Sequence, residues 1–291
     1  MSRPSSASRY FVGRKIIVGI LNPIDYTLCM MPGLRGAVTE DHLSRLVAQT
    51  HQAVLQREEE IPLGQLLRRV RPSDRYFHSA LAQERFHLVG EFKSRCPIEG
   101  DLRAPADVTS LLNALENRGS ALAVHCSEMY GGSPQLLKRL RSISDLPMLC
   151  ASLIIRPYQV VEARVWGADA VLLMPSLVEQ RVLGELMSQA RILNMAAVVL
   201  VHDEAELDAA LRCRARIIAV GGRVPHTLKV DHQRMGQLLD KVPSDRIRLA
   251  VGGFHSRDQL TELREEIDGV MIGTALMKAA KPTQMLRRLG F

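Results

Sequence analysis

The sequence predicts an α/β protein folded as a single (β/α)8 barrel, a TIM barrel, with an N-terminal helical extension. Eight short apolar runs recur at barrel spacing, and helix-length segments with clear start and stop signals lie between them. Repeated strand–helix alternation implies a parallel sheet, and eight units imply that the sheet closes on itself. A length of 291 residues suits one large barrel or two small domains, and the eight runs decide for one barrel.

Residues 1–38 read as a basic N-terminal segment and residues 39–291 as the barrel with its extension. Met1 to Pro23 contain Arg3, Arg9, Arg14 and Lys15, several serines and no acid. An organelle-targeting segment has this composition, and so does an ordinary flexible start. His42, Leu43, Leu46, Val47, His51 and Val54 then form a helical stripe. Leu63 to Val70 gives a second helix and Ser79 to Gln83 a third, shorter one. The strands follow as His87–Lys93, Ala121–Cys126, Met148–Ile154, Ala170–Met174, Ala196–His202, Ile217–Gly221, Arg248–Gly252 and Gly269–Gly273. Ser133 caps a helix that has Pro134 in its first turn. Pro157 opens another and Gly167 closes it, while Asp203 with Glu206 and Ser256 with Gln259 have capping-box spacing.

Composition excludes several function classes. Hydrophobic residues make up 46%, which places the chain among globular proteins. The longest membrane-like run, Ile16 to Leu21, is far short of the ~20 residues that span a bilayer and contains Gly19, so no membrane partner is expected. A net charge of +7 favours anionic small molecules. Nucleic acid is disfavoured, because Arg68, Arg69, Arg71, Lys138, Arg139 and Arg141 suit solvated helix faces and only 4% of residues are aromatic. Five cysteines without a CxxC pair point to a reducing compartment, hence the cytoplasm; a monomer or homodimer is the expected state. Cys96, Cys126, Cys150 and His125 lie near neighbouring strand ends and raise the question of zinc. Cys150 is out of phase with the lumen and no short ligand pair occurs, so neither a metal nor another cofactor is expected.

In such barrels the chemistry sits at the C-terminal ends of the strands. Val89, Glu91 and Lys93 share one phase of the first strand. A Glu and a Lys at a barrel mouth form either a structural pair or part of a site, since each is costly there unless solvated or paired. Val251-Gly252-Gly253 and Ile272-Gly273-Thr274 end strands seven and eight. Glycines there let backbone N–H groups approach a phosphate, so Gly253, Gly273 and Thr274 are the expected anion cup. A side chain at Gly253 or Gly273 is expected to fill the phosphate's volume. His125 falls on the inward phase of strand two and is a candidate base. Cys96 and Cys126 are candidate nucleophiles if Lys93 or a helix N-terminus activates them, against the reading of buried cysteine as a small hydrophobe.

These residues also carry a resemblance. Glu91-Phe92-Lys93-Ser94-Arg95-Cys96-Pro97 resembles the E-x-K-x-x-S-P motif of the indole-3-glycerol phosphate synthase family. Tyr130-Gly131-Gly132-Ser133, Ile155-Arg156-Pro157, Gly167-Ala168-Asp169-Ala170, Val201-His202-Asp203 and Ile272-Gly273-Thr274-Ala275-Leu276-Met277 follow in the family's order. The resemblance implies the barrel, its helical extension, a cap over the mouth, a phosphorylated anthranilate-derived substrate and a carbon–carbon (carboxy-lyase-like) reaction related to tryptophan biosynthesis. It also exposes departures. The family's third-strand Lys is Ala151, its fifth-strand Glu is Leu200, and its sixth-strand N-x-R reads Gly221-Gly222-Arg223. Its seventh-strand E-S-G reads Val251-Gly252-Gly253.

Three functions are therefore in play. The first is a divergent enzyme that holds a phosphorylated, sugar-derived substrate on Gly253, Gly273 and Thr274, anchors it with Lys93 and Arg223, and runs altered lyase or rearrangement chemistry through Glu91, Lys93 or His125. The second is a non-catalytic paralogue, a phospho-ligand sensor or a structural partner. The third is conventional indole-3-glycerol phosphate synthase activity.

Overall fold

Runs such as Ala121 to Val124 and Ile217 to Val220 are buried on both faces, as the strands of a parallel sheet covered by helices must be. The computed structural model describes residues 42–96, 99–102, 108–116, 118–127, 130–224 and 229–291. The basic segment 1–38 lies outside the described residues. The extension comprises α1 (His42–Glu60), α2 (Leu63–Arg69) and α3 (Phe77–Leu81). Then β1 (His87–Phe92) leads into a small antiparallel hairpin of β2 (Arg95–Cys96) and β3 (Gly100–Asp101). The remaining barrel strands are β4 (Ala121–His125), β5 (Met148–Ala151), β6 (Ala170–Leu173), β7 (Ala196–Val201), β8 (Ile217–Gly221), β9 (Ile247–Val251) and β10 (Gly269–Ile272). The helices between them are α4 (Val108–Leu115), α5 (Pro134–Arg141), α6 (Pro157–Trp166), α7 (Gln180–Ile192), α8 (Glu204–Arg212), α9 (His232–Leu239) and α10 (Arg257–Thr261). After β10 come α11 (Thr274–Lys278) and α12 (Pro282–Leu289). The sheet closes, with β1 hydrogen-bonded in parallel to both β4 and β10. Among the described residues no helix is long and apolar enough to cross a membrane.

Most strand ends fall one to three residues short of the apolar runs. Ile154 and Ile155 are buried at the entry to α6 without joining the ladder, so hydrophobicity there marks packing and not pairing. The third helix begins at Phe77, earlier than Ser79, because buried Phe77 and Leu81 anchor it. The β2–β3 hairpin, held by an Arg95–Asp101 ion pair at 2.8 Å, is too short to leave a periodic signal. Ser133 caps α5 by accepting from Leu136 N at 3.1 Å. Asp203 accepts from Glu206 N at 2.8 Å, but Glu206 reaches back to His202 N and not to the cap residue, so the capping box is only half formed.

The lumen is a packed core. Val89, Leu149, Leu172, Leu249 and Met271 fill it from five of the eight strands, with the small side chains of Ala121, Ala123, Ala151, Ala170 and Ala219 between them. Phe77 and Leu81 of α3 plug the N-terminal end, each contributing about 1.5–3 kcal/mol by burial. The extension is tied on by polar contacts. Arg57 forks onto Glu162 at 2.8 and 3.0 Å, and Tyr158 Oη donates to the carbonyls of Arg57 and Ile61, both at 2.9 Å. These contacts run along α6. At the C-terminal side of the barrel Glu58 of α1 also pairs with Arg156, which opens α6 after β5, at 2.9 Å.

Asp169, fully buried before β6, joins extension to barrel. It accepts from Ser73 Oγ at 2.7 Å, Arg164 Nη1 at 2.9 Å, and Arg141 Nη1 and Met148 N at 3.0 Å. Removing it strands two buried guanidinium groups. Asp169→Ala should cost about 3–5 kcal/mol, read as a lower midpoint in urea denaturation. A loss below about 1 kcal/mol would show that these donors find other partners.

Candidate active site at the barrel mouth

The inward phase of β1 places Glu91, then Lys93, above Val89. Lys93 Nζ lies 2.7 Å from Glu91 Oε2, and His125 Nε2, from the end of β4, lies 2.7 Å from Glu91 Oε1. The Glu91 and Lys93 side chains are each 13% exposed, so solvent screens their attraction little. Burial alone pushes the Glu91 carboxyl up. The Lys93 ammonium and the charge and hydrogen bond of His125 outweigh it and hold Glu91 well below the usual carboxylate range. Burial likewise pulls Lys93 down, and Glu91 overrides it, so the ammonium is kept protonated. An ionised carboxylate only accepts, so Nε2 of His125 carries the hydrogen, and Nδ1 is the nitrogen left to take a proton.

The loop after β4 completes this side. Tyr130 lies against the His125 ring, with centroids 4.2 Å apart. Ser94 clips the loop to β1, donating from its N to Tyr130 O at 3.1 Å and from Oγ to Gly131 O at 2.8 Å. Burial and the Glu91 charge push the Tyr130 phenol up, so it stays a neutral donor. The sequence marked Tyr130 only as part of a matching loop, because a loop that folds back onto the strand before it leaves no spacing to read.

One cleft joins this cluster to the glycine-rich side, lined by Glu91, Lys93, Arg223, Gly252, Gly253, Gly273 and Thr274 among others. Gly253 has a φ of 86°, which a β-carbon disfavours. A side chain at either glycine would first meet protein atoms. A β-carbon on Gly273 would overlap Glu91 Oε2, and one on Gly253 would meet Val230 and, at 2.9 Å, His232 Nε2. Gly273 is thus required by close packing on Glu91, and Gly253 by close packing on Val230 and His232.

Arg223 reaches the same mouth but is engaged, with Nη2 3.5 Å from Glu99 Oε1. Lys278 grips the other Glu99 oxygen and holds that carboxyl below its ordinary value. Neither Glu99 nor Lys278 stood out in the sequence, since nothing in their spacing links them. Cys126 is not an activated nucleophile. Its Sγ lies 3.5 Å from that of Cys150 and bonds to Val124 O, on the helix-facing side, and the Cys150 bond and burial push its thiol up. Cys96 is buried in β2, near enough to Lys93 to feel its charge. Ala151, Leu200 and Val251 belong to or pack on the apolar core below the mouth.

Fold and site together define a (β/α)8 barrel with charged and glycine-rich groups converging at its C-terminal mouth, where such barrels carry their chemistry. The family model described as indole-3-glycerol phosphate synthase matches residues 43–289, and the chain belongs to that family. It is 35% identical over 238 residues to the indole-3-glycerol phosphate synthase of Parafrankia sp. (strain EAN1pec), covering 80% of this chain and 89% of that one. It is 31% identical over 264 residues to that of Paracidovorax citrulli, covering 86% and 98%. The tryptophan biosynthesis protein TrpCF of Haemophilus influenzae matches at 32% over 243 residues, covering 81% of this chain and 51% of its own length. Among solved structures, 3-hexulose-6-phosphate synthase from Salmonella typhimurium superposes with a TM-score of 0.58 at 14% identity, covering 70% of this chain and 96% of that one, a likeness of fold.

The cluster sets an acid response. With its folded pKa depressed, Glu91 contributes stability that is fully present above the unfolded value of 4.5 and is lost progressively as pH falls from there toward the folded value. Lys93→Met removes the main stabiliser of the ion, so the folded Glu91 should titrate higher, stability near neutral pH should drop, and the further loss on acidification below about pH 4.5 should be smaller than in the unmutated protein. Urea denaturation from about pH 3 to 7 checks this, and coincident acid limbs would contradict it.

Proposed function

We propose that this chain binds a phosphorylated, sugar-derived substrate at the mouth and runs lyase or rearrangement chemistry altered from that of its family. The observation that carries this is one buried carboxylate held between Lys93 and His125 in the cleft that also holds Arg223, Gly253, Gly273 and Thr274. A scaffold gains nothing from a buried Glu–Lys pair with an imidazole held against it there. The apolar floor supports the change of chemistry, because Ala151, Leu200 and Val251 transfer no protons. His125 pairs in register with Ala151, so its imidazole stands beside the position where the resemblance puts the family's lysine. The apolar floor also favours a second reading, a phospho-ligand sensor or structural partner without turnover. Family membership favours a third, the conventional synthase.

Turnover separates these. General acid–base groups each contribute about 10²–10⁴-fold. The carboxyphenylamino-deoxyribulose phosphate substrate of the family should therefore be converted to indole product far more slowly than the ~1–10³ s⁻¹ of ordinary enzymes. A rate in that range would establish the conventional reading.

Binding tests the substrate class. Calorimetry should detect inorganic phosphate and ribulose 5-phosphate, with Lys93→Met weakening both. Glu99→Gln should tighten them about two- to fivefold, because it removes a carboxylate that competes for Arg223 and Lys278. No detectable binding at millimolar ligand would end the case for a phosphorylated substrate.

A further inference from the structure

A second imidazole–carboxylate pair stands at the mouth on β7. Ala196, Val198 and Leu200 lie in or against the core, so the strand's next inward position is His202. Glu206, one turn into α8, has Oε2 2.8 Å from His202 N and 3.2 Å from Nδ1. The carboxylate accepts, so Nδ1 carries the hydrogen and Nε2 is the ring's basic nitrogen. That edge faces β8. A β-carbon on Gly221 would lie 2.7 Å from Nε2, so the ring occupies the space that a side chain at Gly221 would need. Arg234 of α9 locks the arrangement, donating to the carbonyls of His202 and Gly221. The charged groups around the imidazole are thus Glu206 and Arg234, with Arg223 beyond Gly221 on the same inward phase.

A helix cap alone accounts for less than this. Asp203 already serves the first turn of α8. Glu206 instead fixes one ring nitrogen, and the other is aimed inward where Leu200 and Val251 offer no proton acceptor. Neighbouring strands are about 4.8 Å apart, so β7 lies about 10 Å from β9 along the barrel wall, a span that an imidazole and a five-carbon phosphate ester bridge together.

We propose that His202, oriented by Glu206, is the base that removes the proton from the carbon next to the carbonyl of a ketose phosphate bound at this mouth. Nε2 takes that proton. The C–H electron pair becomes the C=C bond of an enolate, and the carbonyl π pair moves onto its oxygen, which faces Arg223. Return of a proton from the imidazolium to the same carbon restores the ketone, so no oxidant or second substrate is needed. This rests on the phosphosugar reading above, and it assigns a base to the β7 side of the site, across from the Glu91–His125 pair.

The test is proton exchange, which needs no net product. The protein, with ribulose 5-phosphate or carboxyphenylamino-deoxyribulose phosphate in D₂O, should wash deuterium into the carbon next to the carbonyl, read by proton NMR. At saturating ligand, His202→Gln should slow exchange about 10²-fold while calorimetric affinity for the same ligand stays within a fewfold. Glu206→Gln, acting through orientation, should slow it less and displace its pH profile. Exchange undiminished in a folded His202→Gln, a pH profile unmoved in Glu206→Gln, or ligand bound without exchange each overturns the assignment and leaves the phosphosugar reading standing. Absence of binding to both ligands overturns that reading, and this inference with it.

Discussion

Everything at the mouth is arranged around a carboxylate that must stay charged. Glu91 is nearly out of water, and a bare ion there is unaffordable, so the structure brings it two donors from two strands. Lys93 is the next inward residue on the same strand, and His125 ends the strand beside it. Gly273 must lack a side chain because Glu91 Oε2 occupies that space. The Ser94 clip holds Tyr130 over the imidazole, which fixes the ring that fixes the carboxylate. Strands one, two and eight of the barrel are thereby tied by one group.

The chemistry follows from that charge. A carboxylate gripped by two donors is a poor proton acceptor, so Glu91 orients His125 and makes a weak base itself. Lys93, held protonated, serves as a fixed positive charge and not as an amine nucleophile. What the mouth offers a ligand is therefore cationic and rich in donors on one side and apolar below.

The barrel was legible because its signal is collective. Eight runs in sequence survive errors at any one end, and Ile217–Gly221 matches its run residue for residue. Strand ends were not legible, since residues such as Ile154 are apolar for packing under α6. In the site, Glu91, Lys93 and His125 could be found from phase on two strands. Tyr130 and Glu99 could not, because loops bring them in and loops have no period, and Lys278 could not, because it ends a helix of five residues, too short to show one. What a β-carbon at Gly253 or Gly273 would meet could not be read for the same reason. A glycine signals that space is taken, and only the fold tells by what.

The alanines in the lumen have a consequence for where this protein can be cut. Small residues on β4 to β8 leave the interior to be filled from below, and Phe77 and Leu81 do so from a segment that precedes the first strand. A barrel trimmed to begin at β1 would look complete on a topology diagram and yet have its floor open to water. The minimal folding unit therefore begins upstream of the barrel, and a fusion or permutation junction belongs before α3.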